Sequence, residues 1–326
     1  MDVKEIKNDK EKMHLADRMT VIIDQLKEDK KHSAVHTYQS TLNSFRFFFG
    51  GEKTEVPLDE VFTAGTLKEY EVWLRRKGAK WNTVSTYMRT LRAVYNRIYP
   101  PGCVEHNPKL FDDVYTKVES QTKRALEKEQ IQILFTADFT ALPKEVQCAL
   151  AYFLLMFLLR GMPFIDFAYL QAGDLKGNKL TYCRHKTGKQ MTVRIPKEAE
   201  RLFEEYRNKR TDSTFLFPIM DGSLKKDGEL YAYYLRALRK FNKLLEKIAA
   251  LLLPGVKLSS YTARHTWATL AFYQGIPIGI ISKALGHSSI KVTETYLKPF
   301  ENEKVDAAND NLIVSVVKSK VEKNAA

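Results

Sequence analysis

The sequence predicts a mainly α-helical chain in two domains, the second carrying one small antiparallel β-sheet. Three observations carry this expectation. Apolar residues recur at helical spacing over most of the chain. Residues 179–195 instead alternate on either side of a turn-forming Lys-Thr-Gly-Lys. Pro100, Pro101, Gly102 and Pro108 interrupt the periodicity between Tyr99 and Lys123. With 326 residues there is enough chain for two cores. The boundaries expected are a helical domain at 1–105, a linker at 106–123, a second domain at 124–300 and a tail at 301–326.

Within the first domain, Val35, Tyr38, Leu42, Phe45 and Phe49 mark a helix that Gly50 and Gly51 end. A second helix is expected from Leu67 to Lys77. The third is the most regular, with Val84, Met88, Leu91, Tyr95 and Ile98 as its core stripe. Ser85, Arg89, Arg92 and Asn96 line another face of it, a basic ridge suited to a phosphate backbone or simply a solvated surface.

Charge narrows the partners. Lys and Arg number 52 against 39 Asp and Glu, a net charge of +13. Residues 125–326 hold 30 of the basic and 21 of the acidic residues, hence +9 of that surplus. A surplus of this size favours a polyanion, since each phosphate that Lys or Arg neutralises releases counterions. No basic amphipathic helix suited to an anionic membrane is evident, and the charged start MDVKEIKNDKEKMHLADR has no signal-peptide character. Cys103, Cys148 and Cys183 are scattered without a CxxC, the pattern of reduced thiols in a cytoplasmic protein with no zinc site.

In the second domain, a helical section opens with ALEKEQIQILF, and Ala149–Leu159 is an apolar core helix, too short for the ~20 residues that a membrane span needs. It ends in RGMPFIDFAYL. The hairpin at 179–195 follows, then the apolar run Thr214–Met220, then an amphipathic helix over 228–253 with Arg236, Arg239, Lys240 and Lys243 on its exposed face.

Residues 258–297 read LSSYTARHTWATLAFYQGIPIGIISKALGHSSIKVTETYL. Ala263, Trp267, Leu270 and Ala271 give the first helix here a buried face, with Arg264 beside that face. Pro277 opens a second helix and Gly286 stops it, so His287 lies in a tight turn. Ser288 or Ser289 is placed to cap a last helix on which Val292 and Tyr296 fall one turn apart.

RHTWAT at 264–269, LGH at 285–287 and a tyrosine nine residues after that histidine resemble, in identity, order and spacing, the tyrosine recombinase family of phage and conjugative-element integrases. The resemblance implies a site-specific recombinase that integrates or excises a mobile element. In that family an N-terminal core-binding domain and a catalytic domain close on DNA as a C-shaped clamp. It further implies double-stranded attachment sites as substrate, a homotetramer on DNA, accessory bending or directionality factors, a C-terminal helix exchanged between protomers, and a place at the bacterial nucleoid in the cytoplasm. No cofactor is implied.

Phosphodiester exchange without a metal needs a nucleophile, positive charge on the pentavalent phosphate and a proton for the leaving oxygen. Tyr296 takes the first role, through a 3′-phosphotyrosyl ester that conserves the bond energy. Arg264 takes the second, where a guanidinium fork gains most as charge builds. In the family a lysine on this hairpin protonates the leaving oxygen, and the resemblance implies Lys186 for that role with Lys189 the second choice, while His287 is either a further phosphate donor or a base for the tyrosine.

Two positions depart from the family. Aligned on Gly161 and on Asp166, the arginine that the family places in RGMPFID is Pro163, which has neither charge nor donor. Arg160, one helical turn earlier, and Arg184, expected to share a strand face with Lys186, are the replacements, Arg160 being favoured. Tyr261 stands where the family has histidine or lysine in H-x-x-R. A phenol there donates a hydrogen bond but is a poor base, so its expected role is positional. His265 is read as a hydrogen-bonded, core-facing residue.

Three other readings bear on these residues. Ser223-Leu-Lys-Lys226 and Lys186-Thr-Gly188 are pieces of a serine acylase in reversed order and without an export signal. The departures at Pro163 and Tyr261 raise the alternative of a recombinase-like DNA-binding protein that has lost strand transfer, against which Tyr296, Arg264, His287 and Lys186 are all retained. A metal-dependent nuclease would need a carboxylate cluster that the sequence does not contain.

Overall fold

The computed structural model describes residues 14–51, 54–119, 124–210, 213–224, 226–297 and 302–323. The chain divides into two compact units, Met1–Gln121 and Thr122–Ala326.

The described elements of unit 1 are the helices α1 (Leu15–Glu28), α2 (His32–Phe49), α3 (Leu58–Val61), α4 (Ala64–Arg76) and α5 (Trp81–Ile98), with a single bridge between His14 and Pro57. Helix α1 falls in the stretch that reads as charged, yet it buries Leu15, Met19, Ile22, Ile23 and Leu26 along one side. Thr63 caps α4, its hydroxyl accepting from Thr66 N. The core includes Phe45, Tyr70, Met88 and Leu91, with the Phe45 and Tyr70 rings edge to face at 4.7 Å.

The expected linker at 106–123 is corrected in its first half. Leu110, Phe111 and Val114 are buried in the unit 1 core. The buried Glu71 carboxylate accepts from Tyr115 N at 2.5 Å, and Lys68 reaches Glu71 and the Asp113 carbonyl. Prolines break helical periodicity without preventing burial, because carboxylate and carbonyl partners satisfy the irregular backbone.

That segment also corrects the basic ridge on α5. Arg92 is partly buried, its guanidinium 5.4 Å from the Phe111 ring and its Nη2 donating to Thr116 Oγ1 at 3.4 Å. Ser85 is 1 % exposed. Of the pair proposed for DNA, Arg89 is exposed and Arg92 is turned onto its own domain.

Unit 2 is built around α7 (Lys144–Leu158), buried on almost all sides. Packed on it are α9 (Lys197–Tyr206), α10 (Asp227–Leu252) and α11 (Thr262–Tyr273). Two shorter helices, α6 (Lys128–Thr136) and α8 (Phe164–Ala168), flank it in the sequence, and α6 opens with a capping box between Glu127 and Gln130. The sheet has the order β1 (Leu175–Lys176), β2 (Lys179–Cys183), β3 (Gln190–Arg194), antiparallel throughout. Leu180 pairs with Val193 and Tyr182 with Met191, and these four side chains are its buried face. The run 214–220 forms no strand beyond a single bridge from Phe215 to Gln171, but Phe215, Leu216 and Phe217 are core.

Helices α12 (Ile278–Leu285) and α13 (Ile290–Glu294) follow α11, and α14 (Asn302–Lys323) ends the described chain. Leu312, Ile313, Val316 and Val317 of α14 are exposed. No described helix is long and apolar enough to cross a membrane.

Candidate active site

Arg264 sits in the first turn of α11, 2 % exposed. The expectation that it lies beside the buried face is corrected: Thr262, Ala263, Arg264, Thr266, Ala268, Thr269 and Ala271 are all buried, so most of the helix circumference faces protein. Trp267 and Leu270, expected at its core, are partly exposed. Helix α11 is tied from outside by Leu126 N, which donates to Thr266 Oγ1 at 2.9 Å.

The Arg264 guanidinium donates to Gly161 O at 2.8 Å, to Leu285 O at 2.5 Å and to His287 Nε2 at 3.0 Å. Its Nε is buried without a hydrogen-bond partner. Gly161 allows this approach. A Cβ there would lie 2.9 Å from the Arg264 Cα, and its φ of +63° is one that a side chain would strain.

Arg184 reaches the same carbonyl. Its Nη1 donates to Leu285 O at 2.8 Å while its Nε pairs with Asp166 Oδ2 at 3.1 Å. The Asp166 side chain is fully buried, and its other oxygen accepts from His185 N at 2.9 Å. Two guanidiniums thus converge on one carbonyl, with Asp166 the one carboxylate paired with them among the described residues. Burial, and then the charge of Arg184, hold the Arg264 pKa below its ordinary value.

The preference for Arg160 over Arg184 is corrected by this geometry. Helix α7 ends at Leu158 and Arg160 takes a left-handed φ of 62°, directing Nη1 to Thr192 O on β3 at 3.5 Å. The strand argument pairing Arg184 with Lys186 fails as well. Strand β2 ends at Cys183, so Arg184 keeps the inward parity of Tyr182 while Lys186 has entered the turn. That turn is closed by Arg184 N to Lys189 O at 2.9 Å and Gly188 N to Arg184 O at 2.8 Å, leaving Lys186 and Lys189 exposed. Pro163 begins α8 as its N-cap residue.

His287 lies where expected, after the left-handed Gly286 that ends α12. A Cβ on Gly286 would meet Met191 Sδ at 2.8 Å and Arg184 Cδ at 2.9 Å, so the glycine also lets the arginine pass. The His287 Nδ1 is 2.9 Å from Thr293 Oγ1. Burial, then Arg264 and Arg184, and then Lys186 and Lys189, lower its pKa from 6.5 to about 4. The ring is therefore neutral near pH 7.

Above about pH 6.5 the His287 imidazole is neutral in both folded and unfolded chains. As pH falls towards 4 the unfolded chain takes up the proton first, so this contribution to stability is lost over that window. Urea unfolding from pH 7 to pH 4 is expected to show a steeper decline in wild type than in His287→Asn. Parallel declines would contradict the assignment.

Tyr296 lies in a turn just past α13, which ends at Glu294, and not on that helix as its spacing from Val292 predicts. The helix is one turn long, with Ser289 as its cap accepting from Lys291 N at 3.2 Å. Tyr296 O accepts from Thr269 Oγ1 at 3.3 Å, with His265 Nδ1 at the same distance. Its ring is bordered by His265 at 4.7 Å, His287 at 5.0 Å and Tyr261 at 6.4 Å between centroids, with the Arg264 guanidinium at 5.4 Å. Tyr261 is 48 % exposed and lies nearly parallel to Tyr296, and burial followed by the neighbouring Tyr296 raises its pKa.

The structure brings together Arg264, Arg184, His287, Tyr296 and Tyr261, with Lys186 and Lys189 on the neighbouring turn. Arg89 and Arg92 belong to the other unit. Asp166 and Thr293 contribute contacts that the sequence reading did not assign. For Asp166 a signal existed, an acidic residue five positions after Gly161 in an apolar run; for Thr293 there was none.

The profile of the phage integrase family matches residues 124–303, and that of the phage integrase SAM-like domain matches residues 15–114. Tyrosine recombinase XerC of Thermodesulfovibrio yellowstonii is 24 % identical over 85 % of this chain and 90 % of that protein. Among solved structures, a Tn1549 transposon integrase in complex with transposon right end DNA covers 92 % of this chain and 100 % of its own, with a TM-score of 0.63 at 16 % identity. A λ integrase dimer bound to a COC′ core site covers 90 % of this chain and 80 % of its own, with a TM-score of 0.58 at 15 % identity.

Proposed function

The chain belongs to the phage integrase family, and from that premise we propose that it is a site-specific tyrosine recombinase that cleaves and rejoins DNA through a 3′-phosphotyrosyl intermediate. The observation that carries this reading is the convergence of Arg264 and Arg184 on the Leu285 carbonyl beside the Tyr296 ring. Two clustered guanidiniums with one carboxylate leave positive charge for an anion, and a scissile phosphate gains more from it as its transition state becomes more negative.

In the cleavage step the Tyr296 oxygen attacks phosphorus and the bond to the 5′ oxygen breaks. Lys186, exposed on the hairpin turn, gives that oxygen a proton. Arg264 and Arg184 hold the nonbridging oxygens, and Tyr261 positions the phosphate or the nucleophile. Attack by another strand's 5′ hydroxyl reverses the step and frees the tyrosine, so neither ATP nor a metal is consumed. Arg89 and Lys189 are proposed DNA contacts.

The substrate proposed is a pair of double-stranded attachment sites of a mobile element, recombined in the bacterial cytoplasm by a homotetramer. The exposed Leu312, Ile313, Val316 and Val317 of α14 suit a neighbouring protomer in such an assembly.

The test is covalent trapping. Incubated in EDTA with nicked suicide substrates built on its attachment site, the protein is expected to form a denaturant-resistant adduct, leaving a free 5′ hydroxyl. Pro163 and Tyr261 favour the competing reading, a DNA-binding protein without strand transfer. Retained DNA binding with no adduct on a verified site would establish that reading instead.

A further inference from the structure

His287 and the tyrosine segment are linked by a residue that takes no part in the chemistry above. Thr293 is 0 % exposed on the one-turn helix α13. Its carbonyl accepts from Tyr296 N at 2.9 Å, and its Oγ1 stands 2.9 Å from His287 Nδ1.

The other ring nitrogen decides the proton's place. His287 Nε2 is 3.0 Å from Arg264 Nη2, and a guanidinium only donates. The Arg264 contact therefore favours the lone pair on Nε2, which places the single proton of the neutral ring on Nδ1, where Thr293 Oγ1 accepts it. The two contacts together select one tautomer.

We infer that Thr293 is a positioning residue: by accepting the Nδ1 proton of His287 it holds the imidazole in the Nδ1–H tautomer, so that His287 meets the reaction as a proton acceptor through Nε2. This rests on the recombinase reading and chooses between the two roles open to His287, phosphate donor or base. When a phosphate oxygen takes the Arg264 N–H, Nε2 is left with a free lone pair. The Tyr296 hydroxyl proton passes to it as the phosphorus–oxygen bond forms, the phosphate's negative charge offsetting the Arg264 and Arg184 charges that weaken this base in the free chain, and returns when the strand is rejoined. Because Thr293 also holds the Tyr296 amide, base and nucleophile are fixed through one buried side chain and its backbone.

The experiment is long-range proton–nitrogen NMR on chain labelled with ¹⁵N-histidine, the His287 signals being identified by their loss in His287→Asn. Wild type is expected to show the Nδ1–H tautomer. Thr293→Val, similar in shape but without the acceptor, is expected to move His287 to the other tautomer or a mixture and to slow adduct formation about 10- to 100-fold. Thr293→Ser is expected to restore both. An Nε2–H tautomer in wild type, or an unchanged tautomer and rate in Thr293→Val, overturns the inference. Should Thr293→Val fail to fold, the wild-type spectrum still decides. The spectrum needs no DNA, so a wild type with the Nδ1–H tautomer that forms no adduct overturns the recombinase reading and the catalytic half of this inference, and leaves the tautomer lock standing.

Discussion

Replacing Tyr296 with phenylalanine is expected to abolish the covalent protein–DNA adduct altogether while leaving DNA affinity within about twofold. The change removes one oxygen. The ring keeps its neighbours His265, His287 and Tyr261, and the segment stays pinned through its own carbonyl, which the substitution does not touch. Gel-shift titration and denaturing-gel trapping on the same suicide substrate separate the two quantities. An adduct surviving in Tyr296→Phe would remove Tyr296 as nucleophile, and mass spectrometry of the adduct would then identify the residue that replaces it.

The second large effect separates two arginines. Arg184→Lys keeps a positive charge opposite Asp166 but loses the planar fork that reaches both the carboxylate and the Leu285 carbonyl. It is expected to lower the cleavage rate by about 10²- to 10³-fold, the cost typical of losing one preorganised donor to a developing oxyanion. Arg160→Ala, removing a side chain whose contact is the edge of β3, is expected to cost less than about tenfold. Lysine is the informative choice at 184, since Arg184→Ala would strand the fully buried Asp166 carboxylate at ~3–5 kcal/mol and confuse folding with catalysis. Single-turnover cleavage at saturating protein, with thermal unfolding as control, reads the comparison. Equal losses in the two variants, or a larger loss in Arg160→Ala, would refute the assignment of Arg184.

The same pair of arginines shows where legibility in the sequence ends. Spacing along the chain places Arg160 a turn from the missing arginine, and on an unbroken helix it would share that side. The helix stops at Leu158, and one left-handed residue sends the side chain elsewhere. Arg184 lies 18 residues after Asp166, and only hairpin, α8 and the glycine at 286 together bring its guanidinium to the carboxylate. Likewise, alternation predicts that Lys186 shares the Arg184 face, but the strand ends one residue before Arg184.

Local periodicity and turn residues alone determined that the chain is helical with one hairpin and that Gly286 ends a helix before His287, while the resemblance to the recombinase motifs singled out Arg264, His287 and Tyr296. These depend on 3.6- and 2-residue repeats and on the φ values glycine allows, properties of neighbours along the chain. Tertiary structure alone decided which arginine lies beside Arg264, that residues 110–114 complete a core, that Arg92 turns inward, and that His287 stands between Arg264 and Thr293. Each depends on a buried partner distant in sequence, such as a carbonyl at 285 or a carboxylate at 166 or 71, whose unmet hydrogen bonds and charge no local pattern records.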